Sequence, residues 1–179
     1  YHEVKVMSRE KQIEKAYENA REVYGAYGVD PEKILEKFDA IPISIPCWQG
    51  DDIGGFERGM GGASGGIMAT GDYPGKPRTV EELRQDMEKC MEYLPGRLKI
   101  NLHSSYGEHY EKDVDRDGYS SRHFEGWVRW AREHRIGLDM NATTFGHPMA
   151  KDNLTISHPD KGIRNFWIRH MKAVREISE

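Results

Sequence analysis

Three short apolar segments, each followed by an amphipathic one, constrain this chain more than any other feature. The segments are Ile43–Trp48, Leu98–His103 and Ile136–Asn141. After the first, Val80, Leu83, Met87, Cys90, Met91 and Leu94 recur at helical spacing. Thr79 followed by Glu82 reads as a capping box for that helix, and Pro95-Gly96 ends it. After the second, Phe124, Trp127, Val128 and Ala131 mark a buried helical face; after the third, Ile163, Phe166, Trp167, Met171, Val174 and Ile177 do the same. Strands that alternate with helices pair in parallel through right-handed crossovers, so the fold class is α/β.

Two helices precede the first strand. Ser8 to Tyr27 carries Ile13, Ala16, Tyr17, Ala20, Tyr24 and Tyr27 on one face, with Gly28 as the stop. Asp30-Pro31 then starts a second helix whose inner face is Ile34, Leu35 and Phe38. Residues 1–40 therefore read as an N-terminal helical segment and 41–179 as three βα units.

Loop lengths point to function. The loops after the strands run to roughly 30, 17 and 19 residues, whereas those after the helices are about two. Long loops on the carboxyl side of parallel strands build the active site of a (β/α) barrel, and ligands also sit beyond the strand ends of an open doubly wound sheet. A closed barrel needs eight units and typically about 250 residues, so the chain is either an open sheet or part of a barrel. The first loop is distinctive, because ten of the 19 glycines fall between Gly50 and Gly75. Ordering so many glycines costs backbone entropy with no side chain to pack, which suits a lid over about 50–78.

Composition excludes several classes. The 179 residues carry a net charge of −4 with no basic stripe, which argues against nucleic acid and anionic membranes as partners. No run of 18 apolar residues spans a bilayer, and Tyr1-His2-Glu3-Val4 has no signal-peptide pattern. The missing initiator methionine points to a trimmed chain. Cys47 and Cys90 form no Cys-x-x-Cys pair and read as two buried thiols in a reducing, cytoplasmic setting.

His103 is the best-placed titratable residue, at the carboxyl end of the second strand, where an imidazole moves protons near neutral pH, binds a metal or simply caps the strand. His147 reads equally as a ligand contact or a structural hydrogen bond, while His109, His134 and His170 read as solvated surface. Asp113 to Gly118 begins like a calcium loop, but Phe124 stands where the bidentate glutamate belongs, which leaves a solvated acidic loop. The glycines form neither phosphate-binding motif. Asp51 and Asp52 are a solvated pair or a cation and hydroxyl site; Trp48 is core or a hydrophobic wall of a pocket. No nucleophile elbow or H-E-x-x-H occurs, and no residue is assigned as a metal ligand.

Several segments resemble the bacterial L-rhamnose isomerase family. They are Ile43 through Asp52 with Gly55-Phe56-Glu57, Gly65 through Lys76, Asn101-Leu102-His103, His123 through Trp127, Asn141 through Phe145 to His147-Pro148, and Ile163 through Trp167. The likeness runs collinearly from about Ala16 to the end. It implies that the chain is the N-terminal part of a (β/α)8 TIM-type barrel, with the barrel incomplete here. It implies aldose–ketose isomerisation of L-rhamnose and L-rhamnulose in the whole enzyme, with divalent cations, typically manganese, held by acids and a histidine on later strands. This chain alone would then be inactive.

By the same resemblance His103 assists opening of the sugar ring. Trp48, Asn141, Phe145 and His147 line the sugar pocket, and Asp51, Asp52, Gly55, Phe56, Gly65 and Gly66 belong to the lid. Pro46 stands where many relatives have histidine and removes a ladder donor there. The resemblance also implies a homotetramer for the full enzyme. A different class of reading is a non-catalytic sugar-binding or assembly fragment that docks with a partner chain, because three units leave sheet edges open.

Overall fold

A computed structural model describes residues 8–46, 55–57, 77–109 and 114–179. Trp48, Cys47, Asp51, Asp52, Gly65 and Gly66 lie outside the described residues. Among those described are five α-helices, three strands and four short 3-10 turns. The chain divides into two compact units, residues 1–42 and 43–179.

The first unit holds α1 (Arg9–Ala26) and α2 (Pro31–Asp39). Ser8 and Asp30 cap them through bonds from the backbone N–H groups of Lys11 and Lys33, the second as the Asp30-Pro31 start predicts. An Arg21–Glu32 ion pair at 3.3 Å links the two helices. The expected inner face does not close: Ile34, Leu35 and Phe38 are about half exposed, and neither helix buries a residue. Two helices alone cannot enclose an apolar stripe.

The second unit is built on a three-stranded parallel sheet in the order β1 (Ile43–Pro46), β2 (Leu98–His103), β3 (Gly137–Asn141). Ile43 pairs with Leu98 and His103 with Asn141, so β2 is central. Its Ile100 and Leu102, two residues apart and so on one face, are fully buried, while Lys99 and Asn101 on the other face are half-buried. Over them pack α3 (Val80–Met91), through Val80, Leu83 and Met87, and α4 (Glu125–His134), through Trp127, Trp130 and Ala131. The two indoles are satisfied: Trp127 donates to the Tyr106 carbonyl at 2.9 Å and Trp130 to Glu88 at 2.7 Å. Helix α5 (Lys161–Ser178) buries Ile163, Phe166 and Trp167 against Met149 and Ala150.

Several expectations need correcting. Val128 is exposed and Trp130 takes its place in the core, because the buried stripe of α4 runs through positions 127, 130 and 131. Met171 is likewise exposed, and the stripe of α5 passes through His170 instead. His170 is therefore fully buried, not solvated surface, and His109 is half-buried against the rings of Tyr119 and His123. Cys90 is half-buried rather than buried. The capping box of α3 is half formed: Glu82 N–H donates to Thr79 Oγ1, but the Glu82 carboxylate takes the N–H of Arg78, one residue early.

Candidate functional site

The carboxyl ends of β2 and β3 converge on one buried network. His103 closes β2 and is 5% exposed. Its Nδ1 lies 2.9 Å from Thr143 Oγ1, just beyond the end of β3. The same hydroxyl accepts from the Ser104 N–H at 3.1 Å and lies 3.2 Å from the Asn141 carbonyl. The Asn141 side chain accepts the Thr143 N–H at 2.8 Å, which folds the chain back immediately after the strand. Thr143 adopts φ 49°, a conformation that a β-branched residue takes only when its surroundings enforce it.

Arg116 supplies that enforcement. It lies in the loop between β2 and α4 and is 1% exposed. Its Nε and Nη2 grip Glu57 in a bidentate pair at 2.8 and 2.9 Å. Nη1 donates to the Thr143 carbonyl and, at 2.7 Å, to that of Phe145; Nη2 also reaches the Gly146 carbonyl at 3.4 Å. All five guanidinium N–H groups are thus used, and the charge is paired, as burial demands. Tyr119 donates its hydroxyl to Glu57, and burial together with that carboxylate pushes its phenol far above the usual range. His170 presses both ring nitrogens against backbone carbonyls, those of Arg116 and Ala142, and so clamps α5 onto the loops.

Residues 55–57 are pinned to this network. Phe56 N–H donates to the Ser105 carbonyl at 2.9 Å, and the Phe56 ring meets Tyr106 at 5.7 Å. Gly55 has φ 100°, and a Cβ there would stand 2.7 Å from Ser105 Cβ, so only glycine fits. The Tyr106 and Phe145 rings flank the His103 imidazole at 5.4 and 5.9 Å. Burial, and secondarily the Arg116 charge, push His103 down to about 4, so the ring is neutral at physiological pH.

The structure brings His103, Asn141, Phe145, Gly55 and Phe56 together. His147 stands apart in role: its Nε2 donates to Asp115 at 2.8 Å and its Nδ1 accepts the Met149 N–H at 3.0 Å. It stacks on Phe166, and burial lowers its pKa despite the Asp115 hydrogen bond. Both nitrogens are bonded within the protein, which matches the structural of the two roles open to it. Sequence reasoning missed Arg116, Thr143 and Tyr119. Arg116 sat inside what read as a solvated acidic loop, and its partner Glu57 is too distant in sequence to show any periodic signal. The acids near the site are committed, Glu57 to Arg116 and Tyr119, Asp115 to His147. Among the described residues no cluster of three or more histidine, cysteine or acidic side chains fits a metal ion.

Parallel strands alternating with helices define an α/β protein, the class in which ligands generally sit beyond the carboxyl ends of the strands. The profile of one such family, described as L-rhamnose isomerase (RhaA), matches residues 11–179. The chain belongs to the L-rhamnose isomerase family. It is 49% identical over 173 residues to L-rhamnose isomerase of Bacteroides thetaiotaomicron, and 51% identical over 173 residues to that of Listeria monocytogenes serotype 4a. In both cases 97% of this chain aligns with 41% of the relative. The Shigella flexneri enzyme is 47% identical over 167 residues, 93% of this chain and 40% of its own length. The chain thus spans about two fifths of these relatives.

Proposed function

We propose that this segment serves as the amino-terminal part of an L-rhamnose isomerase and supplies the ring-opening side of its sugar pocket. The carrying observation is His103: a buried, neutral imidazole at a strand's carboxyl end, flanked by Tyr106 and Phe145. A neutral imidazole takes a proton from an anomeric hydroxyl or returns one to a ring oxygen, as opening of a cyclic aldose requires. Asn141, Phe145 and Trp48 would border the sugar, with the glycine-rich stretch as lid. The strand order β1-β2-β3, without reversal, supports the start of a (β/α)8 barrel.

The described residues do not fit a divalent cation, since their nearby acids are already paired. We therefore assign the family's cation, manganese by the resemblance, to ligands outside them, and derive no step through it. No helix among the described residues is long and apolar enough to cross a membrane. A cytoplasmic homotetramer completes the proposal.

The test is L-rhamnose isomerisation with added manganese, run in parallel on this chain and on a longer protein containing it. Activity confined to the longer form supports the reading; equal activity in the 179-residue chain overturns the placement of the metal ligands. In the longer form His103→Asn should lower turnover of the cyclic sugar by about 100-fold, the usual scale for a general acid–base group. Unchanged kinetics would remove the histidine from the chemistry.

A further inference from the structure

We infer that Arg116 is a positioning residue for the same reaction: its guanidinium ties the Phe56 and Phe145 segments together and so fixes the spacing of the aromatic rings around His103. This rests on the ring-opening role proposed for His103.

The rings form a row. Phe56 meets Tyr106 at 5.7 Å, Tyr106 meets His103 at 5.4 Å, and His103 meets Phe145 at 5.9 Å between ring centroids. His103 and Tyr106 belong to the end of β2 and the short turn that follows it, so one continuous stretch sets the middle of the row. Its two ends come from loops far apart in sequence, one after β1 and one after β3. Ring pairs are favourable over a range of separations, about 4.5–7 Å, so ring contact alone does not fix either end.

Arg116 bonds to both ends. Its Nε and Nη2 take the carboxylate of Glu57, the neighbour of Phe56, at 2.8 and 2.9 Å. Its Nη1 takes the carbonyl of Phe145 itself at 2.7 Å, together with that of Thr143. The guanidinium is planar and holds its N–H groups at fixed angles, so seating Nε and Nη2 on Glu57 dictates where Nη1 aims. A shift of one segment is thereby passed to the other. The Arg116 and Glu57 side chains are 1% and 8% exposed, which keeps water from competing for these bonds. The arginine is anchored in its turn: Asp115 accepts its N–H at 2.7 Å, and His170 Nδ1 lies 2.9 Å from its carbonyl.

Proton transfer at a sugar ring requires the sugar to be held at a set distance from the imidazole, and a misplacement of about 1 Å can cost about 100-fold in rate. Charge and geometry are separable here. Lysine keeps the charge of Arg116 but has no fork. Aspartate keeps the charge of Glu57 on a side chain one methylene shorter.

The experiment uses the full-length enzyme with its metal, as wild type, Arg116→Lys, Glu57→Asp and the double variant. Near-ultraviolet circular dichroism gives the folded fraction, and kcat for L-rhamnose is expressed per folded protein. Each single variant should lower kcat about tenfold or more, with a smaller change in KM. The double variant should be no slower than the worse single, because the fork and its carboxylate act as one unit. Wild-type kcat per folded protein in either single overturns the proposal, since the pair then serves stability alone. Losses that multiply in the double variant overturn it too. Should Arg116→Lys fail to fold, Glu57→Asp decides by the same kcat criterion. His103→Asn, run alongside, separates the two levels. Wild-type turnover there removes the ring-opening role; impaired turnover there with wild-type kcat in Arg116→Lys removes the positioning role alone.

Discussion

Gly55 and His103 show how much a single position decides. At Gly55 the left-handed φ and the 2.7 Å approach to Ser105 act together. Gly55→Ala should destabilise the fold by at least ~1 kcal/mol, the low end for overpacking a tight site. Chemical denaturation of the two proteins checks this, and an unchanged midpoint would refute the close approach. At His103 the consequence is a pH dependence. The folded ring titrates near 4, below the ordinary 6.5. Between those values the unfolded chain holds a proton there that the native state lacks. Stability from this residue is therefore full above about pH 6.5 and is lost as pH falls towards 4. Wild type should lose more stability than His103→Asn between pH 7.5 and 4.5; parallel losses would show that other groups govern the acid limb. That His103 stands at the carboxyl end of a strand was legible from its place at the end of an apolar segment. Thr143 was not legible, because nothing in a sequence marks a threonine forced to positive φ by an arginine 27 residues earlier.

The elements were legible wherever local chemistry dictates them. Asp30 and Thr79 announced two helix starts, and each side chain accepts the expected backbone N–H. The strand segment Leu98–His103 matches β2 end to end. The loops were misread where their order comes from partners far along the chain. The segment that read as an acidic loop between β2 and α4 is organised by Arg116, and it holds both Glu57 and the turn after β3. Arg116→Met removes one partner of a buried pair and leaves Glu57 uncompensated, a loss that typically costs about 3–5 kcal/mol. Replacing both, with Glu57→Gln added, should recover part of that loss. A thermal melt series of the two singles and the double measures the coupling, and purely additive losses would deny it.

At the scale of the molecule, every buried side chain among the described residues belongs to the unit 43–179. A protein starting at Ile43 should therefore keep one cooperative unfolding transition and the near-ultraviolet circular dichroism of Trp127, Trp130 and Trp167. Loss of both would show that α1 and α2 are needed for the core. Periodicity placed α1 and α2 along the chain, but it does not say what an apolar stripe meets, and the inner face expected of Ile34, Leu35 and Phe38 remains about half exposed.

The register of the sheet also sets a timetable for synthesis. Ile43 pairs with Leu98, so β1 leaves the ribosome with no edge to join until all of α3 and then β2 have followed. Closing so long a loop costs only a little more than closing a moderate one, since the entropy grows with the logarithm of length. The delay is thus one of time rather than of free energy. A nascent chain halted before Leu98 would carry β1 as an unpaired strand, whereas one halted just after His103 could zip it. Arg116 emerges after both and Thr143 later still, so the grip on Glu57 and then the bonds to the turn after β3 follow the pairing of β1 with β2.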